Sequence, residues 1–498
     1  MDSKQFREAA VSSIDDIVKY YDTIEERRVV SEVEPGYLRK LLPDHAPEEG
    51  EAWSDIQKDL QSKIVPGLTH WQSPNFLSWF PSSSSFPAML GEMYSTAFTG
   101  AAFNWICSPA VTELETIVLD WLAKAFGLPE CYHSTGSTHG GGVIHGTASE
   151  AIATVMVAAR DKYLRDATTG LEGEDLEDAM AIKRGKLVAL GSAATHSATK
   201  KAAMITGVRY RSVPVHAKDG YKMTGEGLRA TIEELRAKGL EPFYLTSTLG
   251  TTDTCSTDDF DSIAAVLDEL APPGPGEIWV HIDAAYAGVA LICPEYQHLT
   301  KQFARFHSFN TNLHKWLLTN FDCSVLYVRQ RNWLIEALSV TLAILKNDYT
   351  DSGLVTDYRD WQIPFGRRFR SLKVWFVIRT FGIKGLQSHI RKHVGLGETF
   401  AELLRSRSDL FEIVTGPRFA LTVFKLRGKG EAATLEEQNV LTKTMHEAVN
   451  DEGKIFLSST VVGGVFAIRH CPATPFVEEE HVKMHFQVLV ASAEKTLA

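Results

Sequence analysis

The sequence predicts an α/β protein with a mostly parallel β-sheet, a helical arm before it and a smaller α+β domain after it. Three observations favour this fold class. Short β-rich runs alternate with helix-sized segments between about residues 86 and 372. Residues 1–85 instead show helical spacing interrupted by prolines. Residues 373–498 contain helical segments followed by strand-like runs.

The N-terminal arm, residues 1–85, begins with an amphipathic helical pattern. Apolar residues recur at helical spacing from Phe6 to Tyr21, and Pro35, Pro43 and Pro47 divide the following stretch into short pieces. An arm of this size is too small to form a stable core alone. We therefore expect it to pack on the main body of the protein or on a partner subunit.

The central domain, residues 86–372, contains strand-like runs that are mostly apolar, as expected of parallel strands buried on both faces. These runs are KLVALG, VRYRSVPV, PFYLTSTLG, IWVHIDAA and CSVLYV. Helix-sized segments such as DDFDSIAAVLDEL separate them. In residues 373–498, the strand-like runs FEIV, FALTVFKL and VFAIRH follow helical segments, which predicts a smaller α+β domain.

Composition and charge exclude several classes of protein. The chain of 498 residues is 44% hydrophobic and 23% charged, which is typical of a packed globular protein and excludes wholesale disorder. The formal net charge of −11 gives no reason to expect nucleic acid or a membrane surface as a partner. The six cysteines form no CxxC pair, and the chain begins without a secretory signal pattern, so we expect a cytoplasmic protein.

The glycine-rich segment at residues 140–146 is not a dinucleotide fingerprint, because His145 stands where the third glycine would be needed. The small residues from Gly146 to Ser149 come directly before a helix-sized segment. Their backbone N–H groups and the Ser149 hydroxyl would suit an anion, as the N-terminus of a helix often does. An ordinary helix cap is the alternative.

Potential metal ligands cluster in the same region. They are Cys131, His133, His139 and His145. Their spacing matches no common zinc pattern, and no predicted helix presents two of them on one face. We therefore expect no metal site.

Two charged residues follow predicted strands further along the chain. Asp283 ends the apolar run in IWVHIDAAYAG, and Lys315 follows a second run, beside His314 and Asn312. Ligands bind at the carboxyl ends of parallel strands. A lysine held there can lose its proton and act as an amine nucleophile. Each residue alone has an ordinary alternative, Asp283 as a helix cap or ion-pair partner and Lys315 as a solvated surface lysine.

Together, these residues meet the requirements of pyridoxal phosphate. This aldehyde cofactor needs a lysine for its Schiff base, an acid that keeps its ring nitrogen protonated, and an anion site for its phosphate. Lys315, Asp283 and the segment from Gly146 to Ser149 supply the three. We therefore predict pyridoxal 5'-phosphate as the cofactor.

Several longer segments are distinctive. They are SPNFLSWFPSSSSFPAML, NWICSPAVTELE, GGGVIHGTASEA, HIDAAYAG, NLHKWLLTNFDCS and DYRDWQIPFGRRFRSLKVWFVIRTFGIKGLQSHIRKHV. Together they resemble the group II pyridoxal-phosphate decarboxylases, specifically the aromatic L-amino-acid decarboxylases. The resemblance implies the PLP-dependent transferase fold of type I, with a sheet of the seven-stranded type. It also implies a homodimer whose active sites lie at the subunit interface, with the N-terminal helices wrapped on the partner.

The resemblance also implies roles for individual residues. Lys315 would form the Schiff base, Asp283 would bind the ring nitrogen, Ala285 would pack under the ring and His196 would stack on the cofactor. The other implied cofactor contacts are Ala148, Ser149, Thr251, Asn312 and His314. The implied substrate pocket consists of Trp71, Phe80, Pro81, Ser82, Ala101, Phe103 and Gly366. A dimeric scaffold without activity is the alternative, and the retained lysine, aspartate and phosphate-site residues count against it.

One catalytic position departs from the family pattern. Family members use a loop tyrosine to protonate the substrate Cα after decarboxylation, and the corresponding residue here is Ile344, which cannot donate a proton. Relatives with phenylalanine at this position are aldehyde synthases, in which O₂ oxidises the substrate carbon. Either another donor, Tyr349 or His196, takes over and the product is an amine, or the product is an aldehyde.

The predicted pocket favours an aromatic substrate. Aromatic residues such as Trp71 and Phe103 can stack on a planar ring, and each such contact contributes about 0.5–1.5 kcal/mol. Gly366 and Ala101 are small, which leaves room for an indole. We therefore expect a tryptophan-like substrate first, and then tyrosine, DOPA or phenylalanine.

Overall fold

The computed structural model describes residues 1–340, 355–428 and 434–498. Within these ranges, a seven-stranded sheet lies among helices in the central part of the chain. A four-stranded sheet follows in the C-terminal part. None of the described helices is both long and apolar enough to span a membrane.

The N-terminal arm consists of three α-helices and short helical turns. The α-helices are α1 (Ser3–Asp22), α2 (Tyr37–Leu41) and α3 (Trp53–Asp59). Asp2 caps α1, because its carboxylate accepts hydrogen bonds from the backbone of Lys4 and Gln5. Most apolar residues of α1 are exposed on this chain, among them Phe6 and Ile14. The apolar stripe predicted from the sequence is therefore left uncovered by the described residues.

The large sheet has the mostly parallel arrangement that the sequence predicts. Its strands are β1 (Gly141–His145), β2 (Leu187–Ser192), β3 (Arg209–Val213), β4 (Glu241–Thr248), β5 (Trp279–Asp283), β6 (Ser308–Asn312) and β7 (Ser324–Val328). Their order is β1-β7-β6-β5-β4-β2-β3. Neighbouring strands from β6 to β3 are parallel, whereas β7 runs antiparallel to both β6 and β1. The predicted α/β fold is confirmed.

The helices of the central region pack on this sheet and on one another. They are α4 (Phe86–Ala97), α5 (Pro109–Ala125), α6 (Ala148–Ala167), α7 (Gly173–Arg184), α8 (Ala198–Thr206), α9 (Gly225–Ala237), α10 (Phe260–Leu270), α11 (Leu313–Trp316) and α12 (Asn332–Leu338). Successive strand residues enter different hydrophobic clusters, as Ala189 and Leu190 do. Since successive side chains of a strand point to opposite faces, both faces of the sheet are buried.

The C-terminal part combines long helices with the second sheet. The elements are α13 (Arg370–Ser406), β8 (Phe411–Arg418), β9 (Leu421–Leu426), α14 (Leu435–Glu452), β10 (Ser458–Val462), β11 (Val465–His470) and α15 (Glu479–Leu497). Non-helical backbone at Gly382, with φ of 62°, interrupts α13. The sheet is antiparallel in the order β10-β11-β9-β8. The three predicted strand-like runs correspond to β8, β9 and β11.

Candidate active site

The carboxyl ends of three parallel strands bring the predicted site residues to one edge of the large sheet. Thr248 at the end of β4 is in register with Asp283 at the end of β5, and Asp283 is in register with Asn310 in β6. The short helix α11, which contains Lys315, begins directly after β6. Asp283 and Lys315 are 32 positions apart in the chain and share this edge because parallel strands end on the same side.

A cavity of about 220 Å³ opens at this edge. Most of the predicted cofactor-binding residues line it, namely Ala148, Ser149, His196, Asp283, Ala285, Asn312, His314 and Lys315. Phe80, predicted for the substrate pocket, also lines it. The structure thus brings together five stretches of the chain that the sequence analysis selected, at residues 80, 148–149, 196, 283–285 and 312–315.

Lys315 lies in this cavity in a poorly solvated position. Burial lowers the pKa of its amine, and the Asp283 carboxylate opposes that shift. Burial and the nearby Lys315 charge lower the pKa of His314 to about 3. The His314 ring is therefore neutral, and its Nδ1 accepts a hydrogen bond from the backbone N–H of Cys323 at 2.8 Å. This bond ties α11 to the start of β7.

Asp283 provides the negative charge of the cavity. Its side chain is nearly buried, with 4% of the residue exposed. One carboxylate oxygen accepts a hydrogen bond from the backbone N–H of Ala285 at 3.1 Å. The Ala285 carbonyl in turn accepts from the backbone N–H of Asn312 at 3.0 Å. These hydrogen bonds fix the positions of Asp283, Ala285 and Asn312, the last residue of β6, relative to one another.

The N-terminus of α6 forms another wall of the cavity. Thr147 is its N-cap, and the Thr147 hydroxyl accepts a hydrogen bond from the backbone N–H of Glu150 at 3.3 Å. Ala148 and Ser149, in the first turn, line the cavity. A β-carbon at Gly146 would lie 2.9 Å from Oδ2 of Asp322, which explains the glycine before the helix. A helix start in this position suits a phosphate group.

Stacked rings form the aromatic wall of the cavity. The Phe80 ring lies 3.8 Å from the ring of Tyr286, with an interplanar angle of 13°. Tyr286 stacks in turn on Trp316, next to Lys315, at 4.7 Å. The Tyr286 hydroxyl donates to the carbonyl of Phe419 at 2.8 Å. The wall is therefore built from the arm, the large domain and the C-terminal part of the chain.

Other predicted substrate residues form a second group that lies outside this cavity in the described chain. The Phe103 ring is 4.9 Å from the ring of Phe365. The Ala101 carbonyl accepts a hydrogen bond from the backbone N–H of Arg367 at 3.0 Å. The same carbonyl oxygen would lie 3.9 Å from a β-carbon added to Gly366. Ala101, Phe103 and Gly366 are thus neighbours, and in the described chain the Ala101 carbonyl is the one group beyond the chain neighbours of Gly366 that lies within 4 Å of a β-carbon built there.

The other predicted site residues of the described chain, Trp71, Pro81, Ser82 and Thr251, do not line the cavity. Trp71 is a partly exposed residue that stacks on Trp79 at 5.4 Å. Pro81 and Ser82 follow Phe80, and the Ser82 carbonyl accepts a hydrogen bond from the side chain of Gln72. Thr251 is buried inside its turn, where its hydroxyl accepts from the backbone N–H of Ser256 at 3.0 Å. The Thr251 hydroxyl is thus engaged by the turn itself.

The sequence analysis missed several residues that line the cavity. They are Thr248, Gly250, Thr252, Tyr286 and Phe321. Thr248 could have been found, because it ends a predicted parallel strand as Asp283 does. Phe321 gave no such signal, since it lies in the segment between α11 and β7.

Unpaired polar atoms indicate that this cavity suits a polar ligand. The buried carboxamide oxygen of Asn312 and the buried hydroxyl of Thr248 have no hydrogen-bond partner among the described residues. Such atoms normally have one. With the amine of Lys315, the carboxylate of Asp283 and the start of α6, they fit pyridoxal phosphate. In the described parts of the chain, no group of three or more His, Cys, Asp or Glu residues could hold a metal ion.

Two predicted catalytic residues, Ile344 and Tyr349, lie outside the described residues.

Comparisons with known proteins agree with this site. Residues 35–427 match the family described as "Pyridoxal-dependent decarboxylase conserved domain". The chain is 44% identical over 502 residues to tyrosine decarboxylase 2 of Narcissus pseudonarcissus, which covers 100% of this chain and 96% of the relative. It is 43% identical over 501 residues to phenylacetaldehyde synthase of Arabidopsis thaliana, covering 100% and 97%.

A solved structure shows the same fold. The crystal structure of Oryza sativa TDC with PLP and tryptamine superposes with a TM-score of 0.94 at 36% identity, covering 100% of this chain and 99% of that chain. The predicted family and cofactor are confirmed. The chain belongs to the pyridoxal-dependent decarboxylase family and is a pyridoxal-phosphate-dependent carboxy-lyase whose relatives include aromatic amino-acid decarboxylases and aldehyde synthases.

Proposed function

We propose that this enzyme decarboxylates an aromatic L-amino acid and releases the arylalkylamine and CO₂, with a tryptophan-like substrate preferred. The observation behind the proposal is the single cavity that holds Lys315 and Asp283 beside the ring of Phe80. Pyridoxal phosphate, when bound, links to amines as a Schiff base and accepts the electron pair released at the substrate Cα. The protein must bind and orient the reactants around it.

The charged residues of the cavity have complementary roles in this proposal. The Lys315 amine, whose pKa burial lowers, would hold the cofactor through its aldehyde group. The Asp283 carboxylate holds a proton on the cofactor ring nitrogen, and the carboxylate stays in place because the Ala285 N–H is bonded to it. Ser149 and Asn312 bind the phosphate at the start of α6.

Of the two candidate proton donors, His196 and Tyr349, His196 is the one within the described residues. It lines the cavity, and its Nδ1 accepts a hydrogen bond from the backbone N–H of Ala198 at 3.1 Å. A neutral imidazole with Nδ1 as acceptor has its proton on Nε2. Nε2 is therefore the atom from which His196 would donate to the substrate Cα.

The aromatic wall favours loss of the carboxylate. A carboxylate placed next to the Phe80 ring loses its solvation by water, which raises its free energy. The CO₂ product is neutral and does not depend on such solvation, so the apolar ring favours its release. The stack of Phe80 on Tyr286 keeps this surface in place. The wall also offers a planar substrate a face for ring contacts.

A homodimer would complete the substrate pocket. The neighbouring residues Ala101, Phe103 and Gly366 do not reach the Lys315 cavity of their own described chain, and Phe365 beside them is exposed. In the proposed dimer, this group closes the cavity of the other subunit, while the exposed face of α1 packs on the partner. Because Gly366 has no side chain, it leaves room in this proposed pocket for an indole ring.

Cytoplasmic location is part of the proposal. All six cysteines are free thiols in the structure. Reduced cysteines are usual in the cytosol. Fractionation of the native cells, with the enzyme detected in each fraction, tests this assignment.

An aldehyde synthase is the second candidate. The observation that favours it is Ile344, which stands where the resembled family has its proton-donating tyrosine. Without a donor, O₂ would oxidise the substrate carbon and the products would be aldehyde, CO₂, ammonia and peroxide. A relative of this activity, phenylacetaldehyde synthase, is 43% identical to this chain.

One assay separates the two candidates. The purified enzyme is incubated with tryptophan, tyrosine, DOPA and phenylalanine, and amine, aldehyde and hydrogen peroxide are quantified for each. The proposal expects amine equal to the CO₂ released and little peroxide, with tryptophan turned over fastest. Peroxide in a one-to-one ratio with CO₂ would establish the aldehyde synthase instead.

Three variants test which residue donates the proton. His196→Gln should lower the amine fraction if His196 protonates the product, and Tyr349→Phe should lower it if Tyr349 does. Ile344→Tyr should raise the amine fraction of an aldehyde-forming enzyme. Because all three are compared by product ratio, a general loss of activity does not obscure the result.

A further inference from the structure

Arg469 connects the C-terminal domain to the cavity. It lies in β11, only 3% of the residue is exposed, and its guanidinium reaches the turn after β4. Nη2 donates to the carbonyl of Thr252 at 2.8 Å, and Nε donates to the carbonyl of Asp253 at 3.3 Å. Thr252 lines the cavity. A planar guanidinium bonded in this way fixes the turn relative to the sheet that bears the arginine.

The same side chain contacts the aromatic wall. The Arg469 Cζ atom is 5.1 Å from the centroid of the Phe80 ring, and the Lys315 Nζ atom is 5.5 Å from that centroid. Arg469 Nη1 also donates to the hydroxyl of Ser458 at 2.8 Å, which accepts from the backbone N–H of Trp79 at 2.9 Å. The segment that bears Phe80 is therefore held by Arg469 both directly and through Ser458.

The guanidinium is also one of the charges around the Lys315 amine. The groups that act on this amine are Asp283 on β5, Arg469 on β11 and Cys255 in the turn after β4. Burial and the Arg469 charge lower the lysine pKa, whereas the Asp283 carboxylate raises it. Burial keeps the pKa of the Cys255 thiol above its usual value, so the thiol is neutral. Arg469 is thus the one permanent cation among these three groups.

We propose that Arg469 is a positioning residue of the reaction, which fixes Phe80 and Thr252 against Lys315 and places a permanent positive charge on the same aromatic ring that the lysine amine contacts. The inference rests on the proposed role of Lys315. Arg469 affects the reaction by positioning the aromatic wall and by its charge near the lysine amine. The residues that line the cavity carry out the chemical step.

Arg418 provides a matched control. It also extends from the C-terminal sheet to the turn after β4, where its Nη1 donates to the Ser256 hydroxyl at 2.6 Å. The same atom donates to the carbonyl of Gly220, between β3 and α9, at 3.2 Å. Unlike Arg469, it makes no contact with the Phe80 ring in the described structure. Arg418→Met therefore removes a comparable link between the two domains and leaves the charge beside Lys315 in place.

The experiment measures the protonation of Lys315 directly. The apoproteins of the wild type, Arg469→Met, Arg469→Lys and Arg418→Met are labelled with acetic anhydride across a pH series. Mass spectrometry then gives the pH at which Lys315 is half-reactive. We expect this midpoint to rise by about one pH unit in Arg469→Met, because a neighbouring positive charge is lost. It should stay near the wild-type value in Arg469→Lys and Arg418→Met.

Kinetics of the holoenzymes test the positioning role. In Arg469→Lys, which keeps the charge without the planar fork, kcat should fall about tenfold or more while KM changes little, because the wall no longer orients the reactants. Equal midpoints in Arg469→Met and wild type would overturn the proposal, as would equal shifts in Arg469→Met and Arg418→Met. Borohydride reduction of the wild-type holoenzyme is the separate check, since cofactor trapped on another lysine would refute the proposed function itself.

Discussion

The buried ion pair between Glu115 and Arg367 allows a quantitative test of how burial sets the cost of losing a charge. The two side chains are 1% and 3% exposed. Glu115 Oε1 accepts from Nη2 of Arg367 at 2.6 Å and from the backbone N–H of Ile144, in β1, at 2.8 Å. Because both hydrogen bonds end on one oxygen, glutamine at position 115 can keep them and remove only the negative charge.

Glu115→Gln should destabilise the folded protein by about 3 kcal/mol, because Arg367 is left buried without a counter-ion. Glu115→Ala should cost about 4–5 kcal/mol, since it also removes the acceptor of the Ile144 N–H. The double variant Glu115→Gln/Arg367→Met should recover most of the loss, because no unpaired charge remains buried.

Guanidinium chloride unfolding at a fixed protein concentration, followed by circular dichroism, measures these changes in the free energy of unfolding. The control is Glu295→Gln. Glu295 and Arg391 form two hydrogen bonds of 2.7 and 2.8 Å, but their side chains are 44% and 47% exposed. This variant should cost less than about 1 kcal/mol. Equal costs for Glu115→Gln and Glu295→Gln would refute the reasoning that burial sets the effect.

Three further predictions concern the site and the response to pH. Asp283→Asn removes the charge and keeps the shape, so kcat should fall about 100- to 1000-fold, and an unchanged kcat would contradict the assigned role. Gly250→Ala should weaken cofactor binding, because Gly250 has φ of +86° and a β-carbon there would lie 2.6 Å from that of Ala287. Absorbance titration with the cofactor measures this effect. Gly239→Ala is the control for backbone strain alone, since Gly239 has φ of +70° and no atom beyond its chain neighbours within 4 Å of an added β-carbon. Burial lowers the pKa of several histidines from 6.5 to about 4 or about 3, namely His281, His307, His314, His389 and His485. At these histidines the folded state binds fewer protons than the unfolded chain between about pH 4 and pH 6.5, so their contribution to stability should fall as the pH decreases through that window. Denaturant midpoints measured from pH 7 to pH 4.5 would contradict this if they did not decrease.

Local patterns in the sequence were sufficient to predict the fold class and the main charged residues of the cavity. The predicted strand-like runs correspond to β2, β3, β4, β5 and β7. Of these, β2, β4, β5 and β7 are buried along nearly all of their length, as strands covered on both faces must be, whereas β3 lies at the sheet edge and is mostly exposed. Asp283 and Lys315 were placed correctly at the sheet edge because strand ends can be recognised from neighbouring residues alone. The start of α6 was predicted for the same reason.

Contacts between distant segments could not be predicted in this way. Nothing in the sequence around Arg469 indicates that it contacts Phe80, 389 positions earlier, or the carbonyl of Thr252. The sequence also selected Thr251, whereas its neighbours Gly250 and Thr252 line the cavity. Which residue of a turn faces a cavity depends on the backbone path, and here the hydroxyl of Thr251 is turned inward to Ser256.

The sequence by itself determined the alternation of strands and helices, the lysine and aspartate at the strand ends, and the family to which the chain belongs, because periodicity and short motifs are local properties. Only the tertiary structure decided that Phe80, Tyr286 and Arg469 meet around Lys315, and that Ala101, Phe103 and Gly366 gather elsewhere. The physical reason is that such contacts depend on how the two sheets and the arm pack together, and packing is set by the whole chain rather than by any one segment.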